Sequence, residues 1–184
     1  MAIPEDPVEE IPFEELASAK RAYRAATADE RMTLDAFLDL YRDILVRKVS
    51  GLTDDQARQR LVDSHTTLAG LVKHMRVIEM NWFQRILAQT PDSELPTLVA
   101  WDRPESTFIL EPHDTTASLV EAYQQQCTTS RQIALDHRLE DTVPHSELGQ
   151  VSLRWIYIHM IDETARHVGH ADILREQTDG KIGS

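Results

Sequence analysis

The eight prolines of this 184-residue chain fall in three zones, and the spaces between them decide what it can fold into. Pro4, Pro7 and Pro12 open the chain, Pro91, Pro96, Pro104 and Pro112 sit in the middle, and Pro144 stands alone later. A proline inside a helix costs roughly 3 kcal/mol, because it removes a backbone donor and clashes with the preceding turn. The long proline-free spans are therefore free to be helices, and their apolar residues recur at helical spacing. The pattern predicts an all-α chain.

A first bundle helix is expected at about residues 30–49, where Leu34, Phe37, Leu38, Tyr41, Ile44 and Leu45 recur at threes and fours before Gly51 stops it. Thr53 with Gln56 forms a capping-box pattern that starts a short helix through Arg60. A second long helix is expected over 67–88, with Leu68, Leu71, Met75, Ile78 and Trp82 as its stripe. Residues 89–113, which hold Trp101 and the apolar run Phe108, Ile109 and Leu110, read as a long irregular connection of the kind that is often functional. A third helix is expected over 116–136, its stripe of Leu119, Tyr123 and Ile133 interrupted by Ser130. A fourth is expected over 151–177. Four amphipathic helices with one long connection between the second and third predict a four-helix bundle over residues 28–180. Residues 1–27 read as an acidic N-terminal extension, with a turn or two of helix over 13–23.

Charge and cysteine usage narrow the function. With 19 Lys plus Arg against 31 Asp plus Glu, the net charge is −12 and the isoelectric point is about 5.0. That balance repels phosphate backbones and anionic lipid heads, so no nucleic-acid or membrane role is expected. The acidic N-terminus is unlike a secretory signal, and a cytoplasmic protein is expected. Cys127 stands alone, which excludes an intrachain disulfide and any multi-cysteine metal site. A metal would have to be held by histidines and carboxylates.

The fourth helix carries the chemistry. Leu153, Ile156, Met160, Glu163, His167, His170 and Leu174 follow one another at spacings of three and four, a core-facing seam with three ionisable members. Burying such groups unpaired is costly, so a cation or a hydrogen-bonding cluster with Arg154 or Arg166 should answer them. Glu163 and His167, four apart, stack on adjacent turns and can share one metal. His74, on or beside the stripe of the second helix, is the best candidate for a third ligand. Two imidazoles and a carboxylate suit zinc, and also nickel or ferrous iron, with positions left open for water or a substrate atom. His170 reads as a fourth ligand, a partner that orients a ligand, or an acid or base in the site. Gly169 and Gly70 are expected to mark close approaches of a neighbouring segment. His65, His113, His137 and His145 read as surface residues, His159 as lying off the seam, and Trp82, Trp155 and Tyr157 as packing residues. Cys127 lacks the electropositive setting that activates a thiol.

These residues resemble the DinB-like superfamily of four-helix bundles, which bind a metal through one histidine on the second helix and a pair of residues on the last. The matching stretches are SHTTLAGLVKHMRVIEMNWF from Ser64, VSLRWIYIHMIDETARHVGHADILREQTDG from Val151, and the capping segment GLTDDQARQRL after the first helix. Within the superfamily the chain resembles a branch related to mycothiol-dependent enzymes such as maleylpyruvate isomerase. Their triad maps onto His74, Glu163 and His167, a departure from the commoner three-histidine pattern. The resemblance implies a metal-dependent S-transferase or isomerase acting on a small thiol and an electrophile. Arg154, Arg166 or Arg175 would then contact the thiol's anionic groups, and His170 and Arg166 are the candidates for catalytic work. The alternative is a non-catalytic metal-binding or structural bundle acting as an interaction protein. A homodimer is left open, since the apolar stripes can be satisfied within one bundle or between two chains.

Overall fold

The computed structural model describes residues 12, 15–96 and 104–183. Trp101 and Phe13 lie outside the described residues. Six α-helices carry the architecture: α1 (Ala17–Arg24), α2 (Glu30–Val49), α3 (Asp54–Ala57), α4 (Leu68–Glu79), α5 (Thr116–Leu135) and α6 (Leu153–Asp179). The all-α bundle expected from the proline spacing is the observed fold.

Each long helix starts where a side chain can satisfy an orphan backbone donor. Asp29 accepts from the Met32 amide at α2, Thr67 from Gly70 at α4 and Ser152 from Trp155 at α6. The expected capping box of Thr53 and Gln56 forms, and Thr115 with Ser118 makes a second one at α5. Gly51 after α2 and Gly180 after α6 take the left-handed conformation that ends a helix without a Cβ penalty.

α2 packs along α6, and α4 along α5. Leu38 and Leu45 of α2, Leu71 and Met75 of α4, Tyr123 of α5, and Ile156 and Met160 of α6 are fully buried in one core. α1 lies on α2, where Ala22 and Ala25 meet Ala36. Residues 17–27 are thus packed structure rather than a free arm. Phe37, expected in the α2 stripe, is exposed instead.

Three features depart from the periodicity. Residues 142–152, which include the expected start of the fourth helix at Val151, form an antiparallel hairpin, β1 (Thr142–His145) with β2 (Gly149–Ser152). The second helix is α only to Glu79 and continues through Met80–Leu87 as a π-helix, with the Ala88 amide bonded to the Phe83 carbonyl. The core also holds a charge network. Arg42 of α2 makes a two-pronged bond at 2.7 Å on both arms to Glu79 of α4, and donates at 3.0 Å to Asp39, which Arg131 of α5 reaches at 2.8 Å. Arg42 and Glu79 are both buried, so each charge depends on the other. No helix among the described residues is long and apolar enough to cross a membrane.

Candidate metal centre

α4 and α6 run side by side where His74 meets Glu163 and His167. One ligand-type atom from each of the three lies within 4.8 Å of the others. His167 Nε2 stands 3.2 Å from Glu163 Oε1, and His74 Nε2 stands 3.8 Å from that same oxygen. The edge of a tetrahedral zinc site is about 3.4 Å, given ligand bonds of about 2.0–2.1 Å, so both separations match what one small divalent ion needs. His74 Nε2 is buried and has no hydrogen-bond partner, an arrangement that is costly for an imidazole nitrogen unless something else answers it. The donor set fits a metal.

The rest of the local structure holds His74 in place. Its Nδ1 lies 2.7 Å from Thr107 Oγ1, and its ring stacks on Phe108 at 4.1 Å with 13° between the planes. If the Nδ1 proton goes to Thr107, the Nε2 lone pair is left facing Glu163 and His167. Thr107 and Phe108 reach this position because Gly70 has no side chain. A Cβ there would stand 2.9 Å from the Phe108 carbonyl oxygen, so the close approach expected at Gly70 is real.

Electrostatics follow from burial. The hydrogen bond from His167, with His74 close by, holds the Glu163 carboxyl well below the usual carboxylate range, against the burial that would raise it. Burial pushes the His74 imidazole below its ordinary value, with Glu163 opposing and His167 assisting. Glu163 is thus ionised and His74 neutral near pH 7, the states in which both can ligate.

A comparison with protein families bears on this geometry. The family model described as mycothiol-S-transferase matches residues 33–180. The chain belongs to the mycothiol-S-transferase family. This agrees with the DinB-like resemblance carried by the sequence. A comparison with curated proteins found no match.

In this mycothiol-S-transferase family member the other expected site residues scatter. His170 is exposed rather than on the core seam, and its Nδ1 lies 3.4 Å from Nδ1 of His167. A strict seven-residue seam drifts by about 20° per repeat on a straight α-helix, so the seam passes from Met160 through Thr164 and His167 to Ala171 and leaves position 170 outside. Arg154 is engaged by Glu30 at 2.6 Å and Arg166 by Asp162 at 2.7 Å, both on the surface. Arg175 is buried and donates to the carbonyls of Lys48 and Ser50, closing the C-terminal end of α2. A Cβ on Gly169 would meet nothing within 4 Å, so no segment approaches there. Cys127 is buried with its thiol pushed up to about 12 by that burial, as befits an inert core residue.

Several neighbours of the centre were read from the sequence as surface or packing groups. His145, His159, Trp82 and Trp155 line a cavity that also takes in His74 and Thr107. One signal pointed there: Trp155, His159, Glu163 and His167 are each four apart and so form a ladder along one face of α6.

Proposed function

We propose that this protein transfers a low-molecular-weight thiol, mycothiol or a close relative, to an electrophile, with a divalent metal held by His74, Glu163 and His167. The observation that carries this reading is the convergence of the three side chains from two helices around the orphaned Nε2 of a buried imidazole. Membership of the family supports the thiol chemistry. A divalent cation at this centre, zinc first and nickel or ferrous iron as alternatives, would lower the pKa of a thiol at an open coordination position and supply thiolate at neutral pH.

The chain's own residues prepare the site for that chemistry. Thr107 fixes the His74 tautomer, and the Phe108 ring shields that imidazole from water. His170 is a positioning residue: its Nδ1 lies 3.4 Å from His167 Nδ1 and would accept the His167 proton there once a metal takes the Nε2 lone pair in place of the Nε2 hydrogen bond to Glu163. Glu163 contributes the negative charge that keeps a cation in place. The thiolate sulfur would form a C–S bond to the electrophile's carbon as the bond from that carbon to its leaving group breaks and the leaving group departs with the electron pair, the thiol's proton going to solvent.

Elemental analysis of untagged protein tests the reading. One equivalent of metal is expected in the native chain, lost in His74→Ala and Glu163→Ala with helical circular dichroism retained. Stoichiometric metal in His167→Ala would show the ligand set to be wrong. Thiol consumption with several electrophiles should be metal-dependent for at least one, and absence of turnover with all of them would reduce the centre to a metal-binding scaffold.

A further inference from the structure

Beside the candidate ligands lies a cavity of about 590 Å³. It begins at His74 and Thr107 and runs along the π-helical turns Met80–Leu87 to the β1–β2 hairpin, so whatever fills it sits against one of the three candidate ligands. Its walls are rings. Trp155 and His159 stack at 5.1 Å with 9° between planes, Trp82 and His145 at 5.4 Å with 14°, and Trp82 and His159 lean together at 4.5 Å. Aliphatic side chains such as Ile78 and Ile86 fill the gaps, and Leu148 on the hairpin turn is half exposed at the rim. Charge is scarce. Arg85 is engaged by Asp92 at 2.7 Å, and Glu147 on the hairpin turn is the other Lys, Arg, Asp or Glu in the lining.

The lining also holds donors and acceptors in Asn81, Thr107, Ser146 and the histidines, so the rings rather than a lack of polar groups set what it favours. A flat apolar ring gains both burial and stacking against the indole and imidazole faces. We propose that this cavity seats the electrophile and selects one with a planar aromatic ring; the proposal rests on the thiol-transfer reading for what happens to that ring, but not for its binding. With an aryl chloride bearing electron-withdrawing groups, the thiolate sulfur attacks the ring carbon that carries chlorine. A C–S bond forms, the C–Cl bond breaks, chloride leaves with the electron pair, and the thiol's proton goes to solvent.

Two non-covalent and kinetic readouts separate this inference from the thiol-transfer reading. Isothermal titration with 2,4-dinitroaniline, which has the ring but no leaving group, should show saturable one-site binding to the native protein. The same affinity is expected in Gly169→Ala, a position outside the cavity lining where a Cβ meets nothing within 4 Å. Binding should weaken about tenfold in Trp155→Ala and in Leu148→Arg, the second being an exposed position that a folded chain tolerates. Glucose should not bind. In turnover of 1-chloro-2,4-dinitrobenzene both variants should raise KM for the aryl chloride and keep KM for the thiol. Failure of 2,4-dinitroaniline to saturate, or equal affinity in native protein and both variants, would overturn the aromatic seat even where thiol transfer to other electrophiles is found. Saturable binding that the two variants weaken, with no thiol transfer to any electrophile, would leave the seat standing and remove the transferase reading.

Discussion

Gly70 and Gly169 are both glycines inside long helices, yet their replacement should have opposite effects. At Gly70 a methyl group would press on the Phe108 carbonyl oxygen at 2.9 Å, a backbone atom that cannot step aside without moving Thr107 off His74. Gly70→Ala should therefore cost about 1–3 kcal/mol in urea unfolding and weaken metal retention as well. At Gly169 the methyl group meets nothing, so Gly169→Ala should gain about 0.5–1 kcal/mol through helix propensity alone. Thr107→Val tests the same shell from the other side. It keeps the shape and removes the hydroxyl that faces His74 Nδ1, and metal affinity should fall about 10- to 100-fold by competition with a chromophoric chelator while the fold is retained.

At the level of elements, α2, α4, α5 and α6 were legible because apolar spacing is a local signal, and the observed ends fall within two residues of expectation once the π-helical Met80–Leu87 is counted with α4; Gly51 and the Thr53–Gln56 box were legible on the same local ground. The convergence of His74, Glu163 and His167 was legible for a related reason: Glu163 and His167 lie four apart on one helix, and His74 sits beside its own stripe. What depended on distant partners was not. Glu79 is fully buried in α4, and a carboxylate is not placed in a core from sequence until the guanidinium that answers it, here Arg42 from 37 residues earlier, is known. The hairpin escaped because its strands are four residues each and Pro144 reads as punctuation, although proline is allowed on a two-stranded edge. The buried pair yields its own prediction. Glu79→Gln leaves Arg42 without a carboxylate and should destabilise by about 3–5 kcal/mol, whereas Arg42→Met with Glu79→Leu should recover most of that loss in the same urea titration.

For the whole molecule, pH acts in part through His74 and Glu163, two of the residues proposed to hold the metal. His74, His159 and His170 all have imidazoles held below their ordinary value of 6.5, with burial the main cause in each. The unfolded chain therefore binds more protons than the folded one just below that pH, so stability is complete above about pH 6.5 and declines as pH falls. Glu163 is depressed below its ordinary 4.5, which adds a second loss as pH falls further beneath that value. Melting of the metal-free protein between pH 8 and pH 4 should show a falling midpoint in this order, and His74→Gln should flatten its upper part. Added metal binds only the folded ligand set, so it should raise the midpoint by an amount that grows with free metal, about 2.7 kcal/mol of stabilisation at a hundred times Kd. A chelator should reverse that rise.

The β1–β2 hairpin has a further consequence. The helices supply the proposed ligands and the core, but His145 and Leu148, which finish the cavity wall, come from the one antiparallel ribbon in the described chain. Ser146 and Glu147 on the turn are exposed and outside the core, whereas Gly149, at φ 74°, is held to glycine by its backbone. Divergence could therefore rewrite which molecules the protein accepts by exchanging a few turn residues, while the buried helices that hold the centre stay under their own, separate selection.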